Sequence, residues 1–477
     1  MTPGKPKESR DAPIVEPFVD EGLGNSSYLV VSRRAEEAIV IDPIRDADRY
    51  VAAAKLHGAD ITHVLDTHLH ADFLSGAREI AAATGATIAA SAESDLQFEH
   101  RDLKDGDRLR VGDVAVDVLS TPGHTPEHIS FVMSNAPGGR PHSIFTGGAL
   151  IVGGAARTDL LGPSLAVPLA RQLYRTIRGK LLVLPDRTRV YPTHGAGSFC
   201  IASPTTRRTT TIGTERRTNP LAQEQTEAEF VRRATTGLPS YPSYFLKLRA
   251  INRSGPKVLG SMPALSHLTS EEVRASTARG AAILDTRPAD AFAAGHIAGS
   301  YGIDLNLGLA PWAGWLIPFG TPLILIAQSR ENREQGVREL IRIGYDDLRG
   351  YIDGNMDAQG REGLPIERFP TWSARDVHNR LARRDPPVIV DVRFDSEWAA
   401  GHIPEAIHVE AGALPDAALP FREERSIVAH CVHGARSSAA LSVLARRGYH
   451  KVALLEGGIA EWKAAGFEVE QGTGRAR

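Results

Sequence analysis

The sequence is poor in cysteine, carries almost no net charge and contains no long hydrophobic run. Two cysteines in 477 residues cannot form a disulfide framework and are typical of a reducing compartment. The formal net charge of −2 gives no basic field for nucleic acid. No stretch approaches the roughly 18 apolar residues that a membrane helix needs, and the polar start lacks the apolar core of a signal peptide. These absences predict a cytoplasmic protein without nucleic-acid or membrane partners, and a homo-oligomer is compatible with them.

The length and the turn-forming segments predict several domains. At roughly 150 residues per domain, the chain has about three. In the first half, β-rich runs alternate with Ala-rich helical stretches, and several runs end in a turn that carries His, Asp or Gly. Pro and Gly interrupt the pattern near Gly255 and again from Gly360 to Pro370. The predicted organisation is a disordered tail at 1–13, followed by domains at 14–250, 265–360 and 368–473.

The second half contains an internal repeat. The segment ILDTRPADAFAAGHI at 283–297 matches IVDVRFDSEWAAGHI at 389–403, with Asp, Arg, Gly and His at equivalent positions. In both copies a short apolar run is followed by a helical pattern, which is typical of a parallel sheet buried on both faces. We therefore expect two copies of one α/β unit.

Cys431 lies in a context that favours reactivity over inert burial. The strand SIVAH runs directly into CVHGARSSAALSVLARRG, whose later part has helical spacing, so that Cys431 is expected at the first turn of a helix. Unpaired N–H groups and the positive end of a helix stabilise a thiolate. Arg436 adds a cation, and Gly434 permits a tight backbone path. The residues predict a nucleophilic Cys431 assisted by Arg436.

These motifs, together with GHI at 401–403 and EGGIAEW at 456–462, resemble a rhodanese domain. The resemblance implies a sulfurtransferase in which Cys431 carries sulfane sulfur as a persulfide, with thiosulfate, sulfite or a thiol as donor or acceptor. Its loop, one residue shorter than that of related phosphatases, favours sulfur over a phosphoryl group. The resemblance implies a persulfide loop made of Val432, His433, Gly434 and Ala435.

The first copy of the repeat lacks this chemistry. Aligning the two copies places Ala327 where Cys431 stands, and no cysteine occurs between residues 200 and 431. Ser329 lies nearby, but no adjacent general base is evident. Residues 265–360 therefore resemble an inactive rhodanese domain that packs other domains together or offers a docking surface.

Histidines that follow strands in the first half predict a metal site. His68, His70 and Asp72 alternate in THLHADF, His124 lies in STPGHTPEH, and His194 lies in YPTHGAGS. A lone histidine is more often a satisfied polar residue than a ligand. Four in equivalent strand-end contexts, with an aspartate, favour a bound metal.

This set resembles the HxHxDH motif and the TPGHT and PTHG elements of the metallo-β-lactamase superfamily, and most closely the persulfide dioxygenases. The resemblance implies an αββα sandwich ahead of the two rhodanese-like α/β domains. It also implies one Fe(II) ion that, with O₂, converts a thiol persulfide to sulfite. In this family the iron ligands are the first His of the motif, the TPGH His and the Asp of an FTGD segment.

The sequence departs from that pattern twice. Phe73 stands where the motif ends in His, which removes a ligand of a second metal, and Gly148 stands at the expected carboxylate ligand. His68, His124 and His70 then remain, with Asp72 as an alternative carboxylate, and Zn(II) competes more strongly with Fe(II). Weakened dioxygenase activity is one hypothesis, and Gly148→Asp is then expected to raise iron occupancy.

Several arginines are candidates for binding an anionic substrate. Bidentate guanidinium contacts favour the carboxylates and phosphates of a glutathione or coenzyme A persulfide. The candidates for this role are Arg157, Arg207, Arg208, Arg216 and Arg217.

The leading interpretation is an enzyme of persulfide metabolism. It transfers sulfur through Cys431, and its first domain binds or oxidises a low-molecular-weight persulfide. The alternatives are a zinc-dependent thioester or lactone hydrolase of the glyoxalase II type, which uses metal-bound hydroxide, and a non-catalytic persulfide sensor.

Overall fold

The structure is a computed structural model that describes residues 13–200 and 206–472. The chain divides into two compact units, residues 1–262 and 263–477. The tail predicted at 1–13 lies, apart from its last residue, outside the described residues, as does the final residue of the domain predicted at 368–473. Within the described ranges, no helix is long and apolar enough to cross a membrane.

The first unit contains two six-stranded sheets. The first sheet consists, in spatial order, of β1 (Ile14–Asp20), β2 (Asn25–Val31), β3 (Glu37–Ile41), β4 (Asp60–Leu65), β5 (Thr87–Ser91) and β6 (Arg101–Leu103). Its first three strands are antiparallel, and β3 to β6 are parallel. The second sheet consists of β7 (Arg108–Val111), β8 (Val114–Ser120), β9 (Ile129–Ser134), β10 (Ser143–Gly147), β11 (Arg189–Pro192) and β12 (Thr210–Thr211).

Helices cover the outer faces of the two sheets. They are α1 (Asp48–Leu56), α2 (Ala77–Thr84), α3 (Pro163–Thr176), α4 (Ile212–Thr218), α5 (Pro220–Gln223) and α6 (Glu227–Thr235), whereas α7 (Phe245–Ser254) packs on the loop after β4. Alternation along β2 sorts its side chains: Tyr28 packs between the sheets, whereas Leu29 packs towards α1 and α2. Residues of β9, β10 and β11 pack against α3 and α6 on the other side. The unit is an αββα sandwich, which confirms the predicted fold class.

The second unit begins with a four-stranded parallel sheet in the order β15-β13-β16-β17. The strands of this part are β13 (Ala282–Asp285), β14 (His296–Ile297), β15 (Tyr301–Gly302), β16 (Leu323–Ala327), β17 (Leu348–Asp353) and β18 (Ile366–Glu367), with β14 and β18 forming a separate antiparallel pair. The helices are α8 (Ser270–Ala278), α9 (Ala289–Ala294), α10 (Leu309–Leu316), α11 (Arg330–Arg342) and α12 (Met356–Arg361).

A five-stranded parallel sheet follows, in the order β19-β23-β22-β20-β21. Its strands are β19 (Thr371–Trp372), β20 (Val388–Asp391), β21 (Ile407–His408), β22 (Ile427–His430) and β23 (Val452–Leu455). The helices are α13 (Ala374–Leu381), α14 (Asp395–Ala400), α15 (Ala435–Arg446) and α16 (Gly458–Ala464). Two parallel α/β domains are what the sequence predicts for this half.

Equivalent buried ion pairs relate the two copies. Arg287 bonds to Asp285 at 2.6 Å and to the carbonyl of Gly295 at 2.7 Å. Arg393 bonds to Asp391 at 2.6 Å and to the carbonyl of Gly401 at 2.8 Å. In each copy the arginine ties the end of the first strand to the turn after the next helix, so the pair is structural.

Candidate metal centre and candidate nucleophile

Strands of both sheets bring the histidines of the first unit together. His68 follows β4, His124 follows β8 and His194 follows β11, and all three are buried. One nitrogen of each lies within 4.8 Å of the others. The Nε2 atoms of His68 and His194 are 3.3 Å apart. Two nitrogens at ordinary zinc distances in a tetrahedral site would be about 3.3 Å apart. The spacing suits a shared metal ion.

The second ring nitrogen of each histidine has its own partner. His124 Nδ1 donates to the carbonyl of Arg157 at 2.7 Å. His68 Nδ1 bonds to the Thr67 hydroxyl at 2.8 Å, and His194 Nδ1 lies 3.1 Å from Asn25 Oδ1. Metal-binding histidines generally use the other nitrogen in this way, which fixes the ring. The three Nε2 atoms are therefore the ones left for a metal.

His70 and Asp72 lie beside this cluster. His70 Nε2 is 3.2 Å from Asp42 Oδ1, and His70 Nδ1 is buried without a hydrogen-bond partner among the described residues. Asp72 Oδ2 accepts a hydrogen bond from Asn25 Nδ2 at 2.8 Å. A buried nitrogen without a partner is costly unless something absent satisfies it. His70 and Asp72 form a second group with His194, with ligand atoms within 4.8 Å of one another, and are not grouped with His68 and His124.

Burial keeps the imidazoles of His68 and His124 neutral. Burial, and then the neighbouring histidines, hold the pKa of His68 well below its usual value. Burial lowers the pKa of His124 to about 3, and the charge of His194 adds to this. Burial alone would raise the pKa of Asp72, but His194 and Asn25 hold it below its usual value. Neutral imidazole and ionised carboxylate are the forms that bind metals.

The two departures from the family motif have clear structural counterparts. Phe73 is fully buried and stacks on the ring of His70, with centroids 4.1 Å apart. A Cβ on Gly148 would lie 2.5 Å from Cδ2 of His124. An aspartate at 148 therefore requires the imidazole of His124 to move.

Two residues at this site were missed by sequence reasoning. His128 is buried, and its ring stacks on that of His68 with centroids 5.0 Å apart. Its Nε2 accepts a hydrogen bond from Gly148 N at 3.1 Å. Cys200 is buried, and its carbonyl accepts a hydrogen bond from Arg157 N at 2.9 Å. The second His of STPGHTPEH was the signal for His128, and nothing in the sequence indicated the place of Cys200.

Helix α7 holds the loop that carries His68 and His70. Arg249 forms two bonds to Glu127, of 2.9 and 2.8 Å, and Glu127 accepts a hydrogen bond from Leu69 N at 3.0 Å. Asn252 donates to the carbonyls of His70 and Phe73, both at 2.8 Å. These contacts fix the backbone between the two histidines.

The candidate substrate arginines have different surroundings. Arg157 is buried, bonds to Asp159 at 2.7 and 2.8 Å, and lies over the ring of Tyr241 at 4.5 Å. Arg216 pairs with Asp186, and Arg217 is exposed. Arg208 bonds to the carbonyl of Gly24 at 3.0 Å and pairs with Glu21, and Arg207 is also among the described residues.

A cavity of about 190 Å³ lies next to residues that contact His124 and Gly148, although no histidine lines it. Its wall includes Ala156 and Arg157. The N–H of Ala156 donates to Gly148 O at 2.9 Å, and the carbonyl of Arg157 holds His124. Leu221 and Arg233 line another part of the wall. The cavity can take one arm of a small thiol next to the site.

Cys431 lies where β22 meets α15. Its Sγ accepts a hydrogen bond from Gly434 N at 3.1 Å, and the Ser437 hydroxyl lies 3.7 Å away. The side chain is 2% exposed. Both terminal nitrogens of Arg436 bond to Glu397, at 2.6 and 2.7 Å. The sulfur thus faces helix N-terminal donors, and Arg436 is held in one orientation.

The loop of Cys431 is tied to α16, because Ile459 N donates a hydrogen bond to Cys431 O at 2.9 Å. His433 is exposed, whereas Val432 and Ala435 are half-buried. In the first copy, β16 ends at Ala327, and the Ser329 side chain caps α11. The first copy therefore has no cysteine at the position equivalent to Cys431.

Comparisons with known proteins agree with this geometry. Residues 20–201 match the Metallo-beta-lactamase superfamily, and residues 269–359 and 373–465 each match the Rhodanese-like domain. The mitochondrial persulfide dioxygenase ETHE1 of Homo sapiens is 32% identical over 213 residues, which are 43% of this chain and 74% of that protein. The hydroxyacylglutathione hydrolase of Polaromonas sp. is 36% identical over 177 residues, 36% of this chain and 62% of that protein.

A solved structure covers more of the chain. The crystal structure of a metallo-beta-lactamase from Staphylococcus aureus subsp. aureus COL is 31% identical, with a TM-score of 0.65. The similarity covers 72% of this chain and 99% of that one. It therefore extends beyond the first unit.

Proposed function

Because the chain belongs to the metallo-β-lactamase superfamily and carries two rhodanese-like domains, we propose that it is an enzyme of persulfide metabolism with two sites. Persulfide dioxygenase relatives and rhodanese-like domains both support a role in sulfur metabolism. The finer proposal is sulfur transfer at Cys431, combined with oxidation of a low-molecular-weight persulfide in the first domain. The observation that carries the proposal is the hydrogen bond from Gly434 N to Cys431 Sγ at the start of α15.

The sulfur transfer follows from the position of Cys431. Its thiolate attacks the outer sulfur of a thiol persulfide or of thiosulfate, forming a new S–S bond. The donor's S–S bond breaks, and a thiol or sulfite leaves with the electron pair. The backbone N–H of Gly434 and the held guanidinium of Arg436 stabilise the anionic persulfide. An acceptor such as cyanide or a second thiol then takes the outer sulfur.

In the first domain, we propose that His68, His124 and His194 hold one metal ion through Nε2. Fe(II) bound there would supply the redox chemistry by which RSSH, O₂ and H₂O give RSH, sulfite and two protons. Zn(II) is the competing metal, since imidazole ligands suit both. The cavity beside Arg157 holds the thiol.

The proposal is tested with the full chain and its Cys431→Ser variant. After incubation with thiosulfate, mass spectrometry is expected to find one added sulfur, about 32 Da, on the peptide that contains Cys431. Thiocyanate formation from thiosulfate and cyanide is expected only in the protein that retains Cys431. The matched control is Ser329→Ala, at the equivalent loop of the first copy, which is expected to leave both readouts unchanged. Absence of the adduct on Cys431 would contradict the sulfurtransferase proposal.

The first domain is tested separately. Iron and zinc content is measured together with O₂ uptake and sulfite formation from glutathione persulfide and coenzyme A persulfide. The hydroxyacylglutathione hydrolase relatives favour a second candidate, hydrolysis of a glutathione thioester. Thioester hydrolysis by the zinc form without persulfide-dependent O₂ uptake would support that candidate. Single persulfidation of Cys431 without turnover in either assay would instead support a sensor.

A further inference from the structure

A pair of tryptophans links the first rhodanese-like domain to the second. Helix α10 carries Trp312 and Trp315, both buried, with ring centroids 5.3 Å apart. Both rings are nearly parallel to that of Phe394 in the second domain, with centroids 6.3 and 6.0 Å away. The three rings form an aromatic stack that crosses the boundary between the two copies of the repeat.

The second domain has a niche for Trp315. A Cβ on Gly412 would lie 1.9 Å from Cε2 of the Trp315 ring. The indole therefore lies directly on the backbone of Gly412, and any other residue there would displace it. A tryptophan seated on a glycine in this way fixes the position of α10 on the second domain.

Phe394, the last ring of the stack, connects it to the loop that carries Cys431. Phe394 N donates to Glu397 Oε2 at 3.1 Å, and the Phe394 ring lies 5.4 Å from the guanidinium carbon of Arg436. Glu397 holds both terminal nitrogens of Arg436. Arg436 belongs to the first turn of the helix that follows Cys431. The place of the guanidinium thus depends on Glu397, whose own place depends on Phe394.

The other end of the same helix also contacts the first domain. Arg446, in the last turn of α15, lies over the ring of Tyr301 at 4.2 Å and hydrogen-bonds to the carbonyl of Gly299. The C-terminal end of the helix that follows Cys431 is therefore fixed directly by the first domain, whereas its first turn is reached only through Phe394 and Glu397.

We propose that the first rhodanese-like domain is a positioning module for the Cys431 loop, and that Trp315 is a positioning residue that acts through Phe394 and Glu397 on Arg436. This role rests on the proposed sulfurtransferase function of Cys431. Without the indole, Phe394 and Glu397 gain freedom, and the guanidinium leaves the orientation that suits an anionic sulfur donor. A rotamer-rich side chain then has to be ordered when the donor binds, which weakens binding of the donor.

The test compares Trp315→Phe and Trp315→Ala with the wild type in the full chain. Steady-state thiosulfate:cyanide kinetics are expected to show a rise of about tenfold in KM for thiosulfate in Trp315→Ala, with a smaller change in kcat. Trp315→Phe, which retains an aromatic ring, is expected to restore most of the loss. The control is Trp372→Ala in the second rhodanese-like domain, whose ring faces Arg380 rather than the stack. It removes a comparable side chain and is expected to leave KM unchanged.

A double-mutant cycle keeps the test decisive if Trp315→Ala does not fold. Glu397→Gln and Trp315→Leu, which keeps an apolar side chain but no ring, are each measured alone and then together. If Trp315 acts through Glu397, the two changes are expected to be less than additive in KM, whereas independent sites give additive effects. Additive effects, or an unchanged KM in both Trp315 variants, overturn the positioning role. Persulfide on Cys431 of the wild type is measured in parallel. If it forms while the positioning test fails, only the positioning role is wrong, and if it does not form, the proposed sulfurtransferase function fails.

Discussion

The imidazole of His124 occupies the space that a side chain at residue 148 would fill, since a Cβ on Gly148 would lie 2.5 Å from His124 Cδ2. The ring cannot shift freely, because its Nδ1 is bound to the carbonyl of Arg157 at 2.7 Å. The glycine therefore does more than remove a carboxylate ligand. It lets His124 lie close to β10, where one of its ring nitrogens comes within 4.8 Å of ring nitrogens of His68 and His194.

This relationship predicts opposite effects of two substitutions at Gly148. Gly148→Ala adds a methyl group that displaces His124, and forcing an extra group into a packed site generally costs about 1–3 kcal/mol. Metal content is therefore expected to fall. Gly148→Asp causes the same displacement but adds a carboxylate ligand, so that metal content, and the share of iron over zinc, are expected to recover. Elemental analysis of the purified proteins gives both quantities.

The comparison of these two variants with the wild type is decisive. Equal metal content in all three proteins would show that His124 does not bind the metal in the orientation described. A loss in both variants would show that the carboxylate cannot reach the metal. Gly179→Ala, which has nothing within 4 Å of the added Cβ, serves as the control.

Local signals allowed the sequence to predict the main elements of both sites. Strand-end histidines mark the sheet edge where His68, His124 and His194 meet, and the strand-to-helix turn places Cys431 at a helix start. Each signal lies within a few residues of the side chain that it concerns, because strand and helix periodicity are local properties.

The residues that hold those side chains in place could not be predicted in the same way. Glu127 and Arg249 are 122 positions apart in the chain, and Asn25 and His194 are 169 apart. No local pattern connects such residues, since only the packing of the two sheets and α7 brings them together. Likewise, the repeat showed that the first copy lacks a cysteine, but only the packed structure shows Trp315 seated on Gly412.

Gly412→Ala is expected to loosen the contact between the two rhodanese-like domains. The added Cβ would overlap the Trp315 ring, so either α10 or the segment at 411–413 has to move. A loss of about 1–3 kcal/mol in the free energy of unfolding is expected. Gly336→Ala, in α11 of the same unit, meets its nearest atom at 3.4 Å and is the matched control. Denaturant unfolding that shows equal stability for the two variants would contradict the tight seat of Trp315.

The two cysteines are expected to differ in their reaction with small electrophiles. Burial, and then the charge of Asp72, raise the pKa of the Cys200 thiol well above its usual value. Because the thiolate is the nucleophile, Cys200 is expected to stay unmodified in native protein treated with iodoacetamide. Cys431, which faces N–H donors at a helix start, is expected to react. Peptide mapping measures both, and unfolded protein, in which both react, is the control. Faster labelling of Cys200 would contradict its described surroundings.

The buried pair of Glu127 and Arg249 predicts a pH-dependent stability. Burial alone would raise the pKa of Glu127, but the hydrogen bond and charge of Arg249 hold it below the usual value of 4.5. The folded protein therefore binds the proton more weakly than the unfolded chain does. The stability that this carboxylate contributes is complete above pH 4.5 and is lost as the pH falls through its lower folded pKa.

Arg249→Met is expected to reverse this dependence. It leaves an unpaired buried carboxylate, which generally costs about 3–5 kcal/mol at neutral pH. Protonation of Glu127 removes that penalty, so the difference in unfolding free energy between variant and wild type is expected to shrink from pH 7.5 to pH 4.5. The control is Arg253→Met, which changes another arginine of α7, the exposed partner of Asp95. It is expected to lower the free energy of unfolding by less than about 1 kcal/mol at both pH values. If Arg249→Met lost the same free energy at both pH values, the cost would come from lost packing of the arginine stem. The carboxylate would then not be what holds Leu69 and the loop between His68 and His70 in place.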